Sequence, residues 1–100
     1  MEKKIVKLQT PITIGGVEKT EVEVRASTIG DEEDALQEAL RLKKGKNALT
    51  IEMCLFSKVS KIPYDVLRSM NRADYGAIRD AVNEVNGIEP EDDGENPLTP

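Results

Sequence analysis

Apolar residues change their spacing once along this chain, near Gly30, and that change constrains the fold more than any other feature. Before it they recur at every second position: Val6, Leu8, Ile12 and Ile14, then Val22 and Val24, with Glu21, Glu23 and Arg25 pointing the other way. Period two belongs to strands with one buried face. After Gly30 the spacing becomes three and four, which belongs to helices. Strands followed by helices are segregated in sequence, so the expected class is α+β. It takes the form of an N-terminal β-hairpin over about 4–25 packed against three to four helices.

Gly15-Gly16 lies between the two alternating segments and signals the hairpin turn. A two-residue Gly-Gly loop pairs positions summing to 31, which sets apolar against charged residues along a uniform ladder. A three-residue loop, Gly15-Gly16-Val17, pairs positions summing to 32, so that Leu8 faces Val24 and Thr10 faces Val22. The odd loop is therefore expected, with a glycine bulge. Pro11 has no N–H to give a ladder, so the first strand should be an edge or be bulged there.

Helices are expected over about 31–44, 47–60, 63–69 and 72–86. Asp31 reads as the first cap, with Glu32, Glu33 and Asp34 in the positive first turn and Ala35, Leu36, Ala39 and Leu40 at helical spacing. Arg41, Lys43 and Lys44 precede Gly45 at its end. Asn47 opens the second helix and Pro63 suits the first position of the third. Asn71 caps the fourth, with Asp74 three residues on and Tyr75, Ile78, Val82 and Val85 as its apolar stripe up to Gly87. Residues 1–87 then form a single domain. Residues 88–100 carry three prolines, five acids and no basic residue, and are expected to be a disordered acidic tail. That tail holds the whole net charge of −5, because the body has 14 acids against 14 bases.

Composition excludes more than it reveals. With no histidine, Ser–His–Asp and Cys–His nucleophilic sites and imidazole zinc sites are ruled out. A lone cysteine, Cys54, forbids an intrachain disulfide or a multi-thiolate metal site, and among Met53, Leu55 and Phe56 it reads as an inert core thiol in a reducing compartment. No apolar run reaches the ~18–20 residues of a membrane-spanning helix, and Met1–Leu8 lacks the apolar block of a signal peptide. The carboxylates Asp31, Glu32, Glu33 and Asp34 fan around a helix instead of converging on a cation, and Gly15-Gly16 lacks the lysine of a phosphate loop. The stretch Arg41–Lys46 complements a helix C-terminus, a reading preferred over a binding site for an acidic partner. No catalytic residue, metal ligand or cofactor site emerges, and a neutral body is a poor binder of nucleic acid.

The second helix holds the one informative surplus. Ile51, Leu55, Val59 and Ile62 form one apolar stripe, and Leu49, Met53 and Phe56 form another, with Thr50, Ser57 and Lys61 as the wet line. One stripe suffices to dock a helix on a hairpin of this size. Leu49, Met53 and Phe56 are therefore the candidate partner-binding residues, against the simpler reading that they pack on another helix of the same chain.

The order of residues carries a family resemblance. Leu8-x-x-Pro11-Ile12, Gly16-Val17, Glu21-x-x-Val24-Arg25 and Gly30-Asp31 resemble the N-terminal half of the tail assembly chaperones of Mu-like and P2-like contractile-tailed phages and prophages. Leu55, Val59, Ile62-Pro63, Leu67, Met70 and Asp74-Tyr75 resemble the second half, so the likeness spans about 5–85. It implies a non-enzymatic protein of the host bacterial cytoplasm without a cofactor. Such a protein binds the long helical tape-measure protein, keeps it soluble, helps tail-tube subunits polymerise around it, and is missing from the mature virion. It also implies that a frameshifted longer form is made in some members, and self-association is compatible with the role. Two other classes compete: a structural component of the tail or baseplate, and a helix-turn-helix DNA-binding regulator over Ser60–Val85. The second is disfavoured because Arg72, Asp74, Arg79, Asp80 and Glu84 sum to −1 on its recognition helix.

Overall fold

A computed structural model describes residues 2–43 and 47–88. Two strands, β1 (Lys3–Ile14) and β2 (Val17–Arg25), form an antiparallel hairpin, followed by α1 (Ile29–Arg41), α2 (Ala48–Ser60), α3 (Tyr64–Ser69) and α4 (Arg72–Val85). The class is α+β, as the change of period requires. Lys44, Gly45 and Lys46, the end of the basic stretch, lie outside the described residues, as do residues 89–100 of the acidic tail.

The hairpin corrects the expected register. Ile14 pairs with Val17 and Ile12 with Lys19, so the turn is the two-residue Gly-Gly loop. Both glycines take positive φ, 57° at Gly15 and 81° at Gly16. That is the signature of a type I′ turn, whose twist matches that of the strands it joins. Beyond Ile12 the ladder breaks and resumes at Lys7↔Glu21, Val6↔Val22 and Lys4↔Val24. Leu8–Pro11 thus stand opposite Thr20 alone, and the three extra residues restore even against even where the core needs it. The apolar pattern demands an odd loop only where one register runs the whole length of the hairpin. Two registers joined by a bulge satisfy both the turn and the core, and Pro11 sits in the bulge where its missing N–H costs nothing.

Helix caps follow the sequence closely. Asn47 Oδ1 accepts the Thr50 N–H at 3.0 Å, and Asn71 Oδ1 accepts the Asp74 N–H at 2.8 Å. Gly87, with φ 75°, follows the last turn of α4. Two starts differ from expectation. Pro63 is the N-cap of α3, one position before its first helical residue. For α1 the cap is Thr28, not Asp31: Thr28 Oγ1 accepts the Asp31 N–H at 3.1 Å, and Asp31 Oδ2 accepts the Thr28 N–H at 2.9 Å. This reciprocal box satisfies two orphan donors where an aspartate cap at 31 would satisfy one, so the helix begins two residues early.

The main core lies between one face of the hairpin and the helices: Val6, Val22 and Val24 meet Phe56, Val59, Ile62, Leu67, Ile78, Ala81 and Val82. A smaller cluster joins α1 to α2 through Ala35 and Ala39 against Cys54. α2 is therefore the shared element, with α1 on one side and the hairpin and α4 on another. Thr50, expected on the wet line, is buried one turn before Cys54 on the side that α1 covers.

Two buried aspartates tie sheet to helices. Asp31 Oδ2 accepts Arg25 Nη1–H at 2.7 Å and its Oδ1 accepts Nη2–H at 3.2 Å, clamping the end of β2 to the start of α1. Asp74, at the third position of α4 and 2% exposed, accepts backbone N–H groups from Gln9 at 2.8 Å and Thr10 at 3.0 Å. Those donors are freed by the bulge, so the carboxylate stands in for the missing strand partner. At the other end of α4, Asn86 Oδ1 accepts the Ser27 N–H at 2.8 Å.

Candidate partner-binding groove

With α1 covering one side of α2 and the core taking Phe56 and Val59, Leu49 is left exposed near its N-terminal end, and Met53, packed partly against the main core, keeps one edge uncovered beside it. Leu49 is 53% exposed and Met53 half-buried. They stand at one wall of a groove of about 400 Å³ whose other walls are α3 and the first two turns of α4. Leu67, Met70 and Tyr75 supply its apolar lining. Gly76 lies there with open space where a Cβ would be, so the backbone of α4 is accessible along the groove.

The third candidate, Phe56, is not at this surface. It is 3% exposed and belongs to the main core. Its ring lies 5.5 Å from that of Tyr75 at 37°, so it supports a residue of the groove from beneath. The spacing that grouped Leu49, Met53 and Phe56 on one stripe is real, but the core takes one edge of that stripe and leaves the other open.

Polar groups set the groove's chemistry. Glu52 on α2 accepts the Tyr75 O–H at 2.8 Å and Arg79 Nη2–H at 2.7 Å, and the Arg79 guanidinium sits 5.4 Å from the Tyr75 ring centre. Burial, then the neighbouring Glu52 carboxylate, hold the Tyr75 phenol well above its ordinary range, so it remains a donor. Arg68 and Arg72 stand at the rim and have no ion-pair partner among the described residues. The result is an apolar trough with a basic edge. Sequence spacing missed Arg68, Met70 and Arg72 as a group because the α3–α4 corner, not one helical repeat, brings them together.

The other chemistry-bearing residues are occupied in the fold or apart from one another. Asp31 is held by Arg25 and Asp34 by Lys58 at 3.1 Å, while Glu32 and Glu33 point to solvent. Among the described residues no three acids or thiols converge as metal ligands, and no helix is long and apolar enough to cross a membrane. Cys54 is buried, and burial, then the charge of Glu38, push its thiol up and away from the reactive thiolate. On α4, Asp74 is spent on the bulge and Arg79 on Glu52.

The family described as "Phage tail assembly chaperone proteins, E, or 41 or 14" matches residues 5–87. No curated protein and no solved structure matches the chain. The matched span takes in the bulge, both buried aspartates, all four helices and the groove. Over nearly its whole described length, then, this chain belongs to the phage tail assembly chaperone proteins.

Proposed function

We propose that the protein is a non-enzymatic chaperone of the host bacterial cytoplasm that binds the phage tape-measure protein and holds it soluble while tail-tube subunits assemble around it. Membership of the family supports the chaperone role, and the groove supplies a surface of the right kind. A tape measure is long, helical and apolar. A helix lays its anchors into such a trough at i, i+3, i+4 and i+7, and thioether side chains adapt to a varied apolar sequence. Met53 and Met70 are both half-buried there, beside the exposed Leu49. The contact is made by Leu49 and Met53, with Phe56 holding Tyr75 in place behind them. Having left its client, the protein is missing from the finished virion.

Co-expression with the tape-measure protein of the same phage tests this reading. Leu49→Glu with Met53→Glu places two charges on the surface and removes no fully buried side chain. The variant should keep its circular dichroism spectrum while the tape measure moves from the soluble to the pellet fraction. A folded variant that still keeps the tape measure soluble would place the client elsewhere. Mass spectrometry of purified virions provides the second arm: finding the protein there at stoichiometric levels would make it a structural component of tail or baseplate.

A further inference from the structure

The groove has a counterpart on the same molecule. α1 buries its two alanines, Ala35 and Ala39, and leaves its larger residues outside: Ile29 is 80% exposed, Leu36 50% and Leu40 60%. Burying alanine while exposing leucine reverses the usual preference, and the three exposed residues lie on one line of the helix, seven and four apart. Glu32 and Glu33 flank that line, are exposed, and have no ion-pair partner among the described residues. An apolar ridge edged by unpaired acids thus stands on one side of α2. On another side an apolar groove is edged by Arg68 and Arg72, the two arginines unpaired among the described residues.

We propose that α1 of one copy docks through Ile29, Leu36 and Leu40 into the groove of a second copy, with Glu32 and Glu33 meeting Arg68 and Arg72. Ridge and groove face different directions from α2, so the contact is heterologous: each copy offers its ridge to one neighbour and its groove to another. Ion pairs formed as the apolar surfaces close are partly desolvated, and they set which faces meet. A helix in the groove excludes any other helix from it, so a neighbouring copy and a client segment compete. The self-contact itself does not depend on the client reading, and losing one leaves the other standing.

Sedimentation velocity over rising concentration is the test. The wild-type chain should exceed twice its 11.0 kDa mass at high concentration and dissociate as salt is added. Arg68→Glu with Arg72→Glu, and separately Glu32→Arg with Glu33→Arg, should each weaken self-association roughly tenfold or more, because like charges then face each other. The chain carrying all four reversals should associate again. A further pair guards against misfolding of that chain: Leu36→Lys with Leu40→Lys keeps a groove but no ridge, and the arginine reversal keeps a ridge but no groove. At a concentration where each alone is a folded monomer, the mixture should form a one-to-one dimer and stop there. A wild-type chain that stays monomeric, association that either reversal leaves as strong as in the wild type, or a mixture that remains two monomers would each overturn the proposal.

Discussion

Asp74 and Gln9 are 65 residues apart in sequence, yet the Asp74 carboxylate accepts the Gln9 backbone N–H at 2.8 Å. With the Thr10 N–H at 3.0 Å and Asn71 Nδ2–H at 3.1 Å it makes a buried carboxylate fully engaged. Burial alone would push this carboxyl up, but the three donors outweigh it and hold it below its ordinary value. Asp74→Asn keeps the volume and turns one acceptor into a donor that faces an N–H. It should cost roughly 1.5–3 kcal/mol in urea unfolding, the size of a hydrogen-bond set to a buried charge. Amide exchange at Gln9 and Thr10 should rise most; a neutral Asn variant would show that the bulge holds itself.

Acid should destabilise the protein through its two buried aspartates, Asp74 and Asp31, both held below their ordinary range. The Arg25 guanidinium, then the Thr28 N–H, hold Asp31 far below the ordinary aspartate value of about 3.9. Because the folded value lies below the unfolded one, the stabilisation is complete at neutral pH. It begins to fall as pH drops through about 4 and continues to fall toward the folded value. Stability of the wild type should therefore be flat from pH 7 to about 5 and decline below. Arg25→Gln should lower the plateau and flatten the acid limb, which thermal melts at a series of pH values would show.

The turn should tolerate asparagine and resist alanine. Gly15 and Gly16 both occupy the left-handed region with open space around them, so only the backbone conformation is at stake. Gly16→Ala should cost about 1–2 kcal/mol, whereas Gly15→Asn should cost much less, since Asn-Gly is a favoured type I′ pair. Cross-strand contacts in NMR spectra should join Ile14 to Val17 in the wild type.

Core and surface leucine-type positions should separate cleanly. Val82 is 3% exposed and packs in the main core, so Val82→Ala should lose roughly 1–3 kcal/mol. Leu36→Ala, on the outer line of α1, should stay within about 0.5 kcal/mol for the isolated chain. A large loss at Leu36 in dilute solution would mean that the ridge packs within its own molecule.

Local chemistry was enough for much of this fold. The switch of period near Gly30, the place of the turn at Gly15-Gly16 though not its length, the Asn47 and Asn71 caps and the end of α4 at Gly87 all depend on a few neighbouring residues, and those were legible. So was the trouble at Pro11, because a residue without an N–H cannot continue a ladder in any tertiary context. The register was not legible, because the bulge that sets it is completed by Asp74 from the far end of the chain. Nor was the start of α1, where Arg25 and the Thr28 N–H together hold the Asp31 carboxylate at the third helical position instead of the cap.

The same division runs through the candidate surfaces. Periodicity showed that α2 has more apolar residues than one contact needs, and that Ala35, Leu36, Ala39 and Leu40 share a face of α1. It could not say which edge of each stripe would be buried, because an apolar arc of more than 100° is wider than one docking contact. Packing made that choice: α2 gave Phe56 to the core, left Met53 half-buried and Leu49 outside, and α1 turned its alanines inward, where small side chains allow close approach to Cys54. What a residue is worth to a helix is written in its neighbours along the chain. Which way it faces is decided only when the other helices arrive.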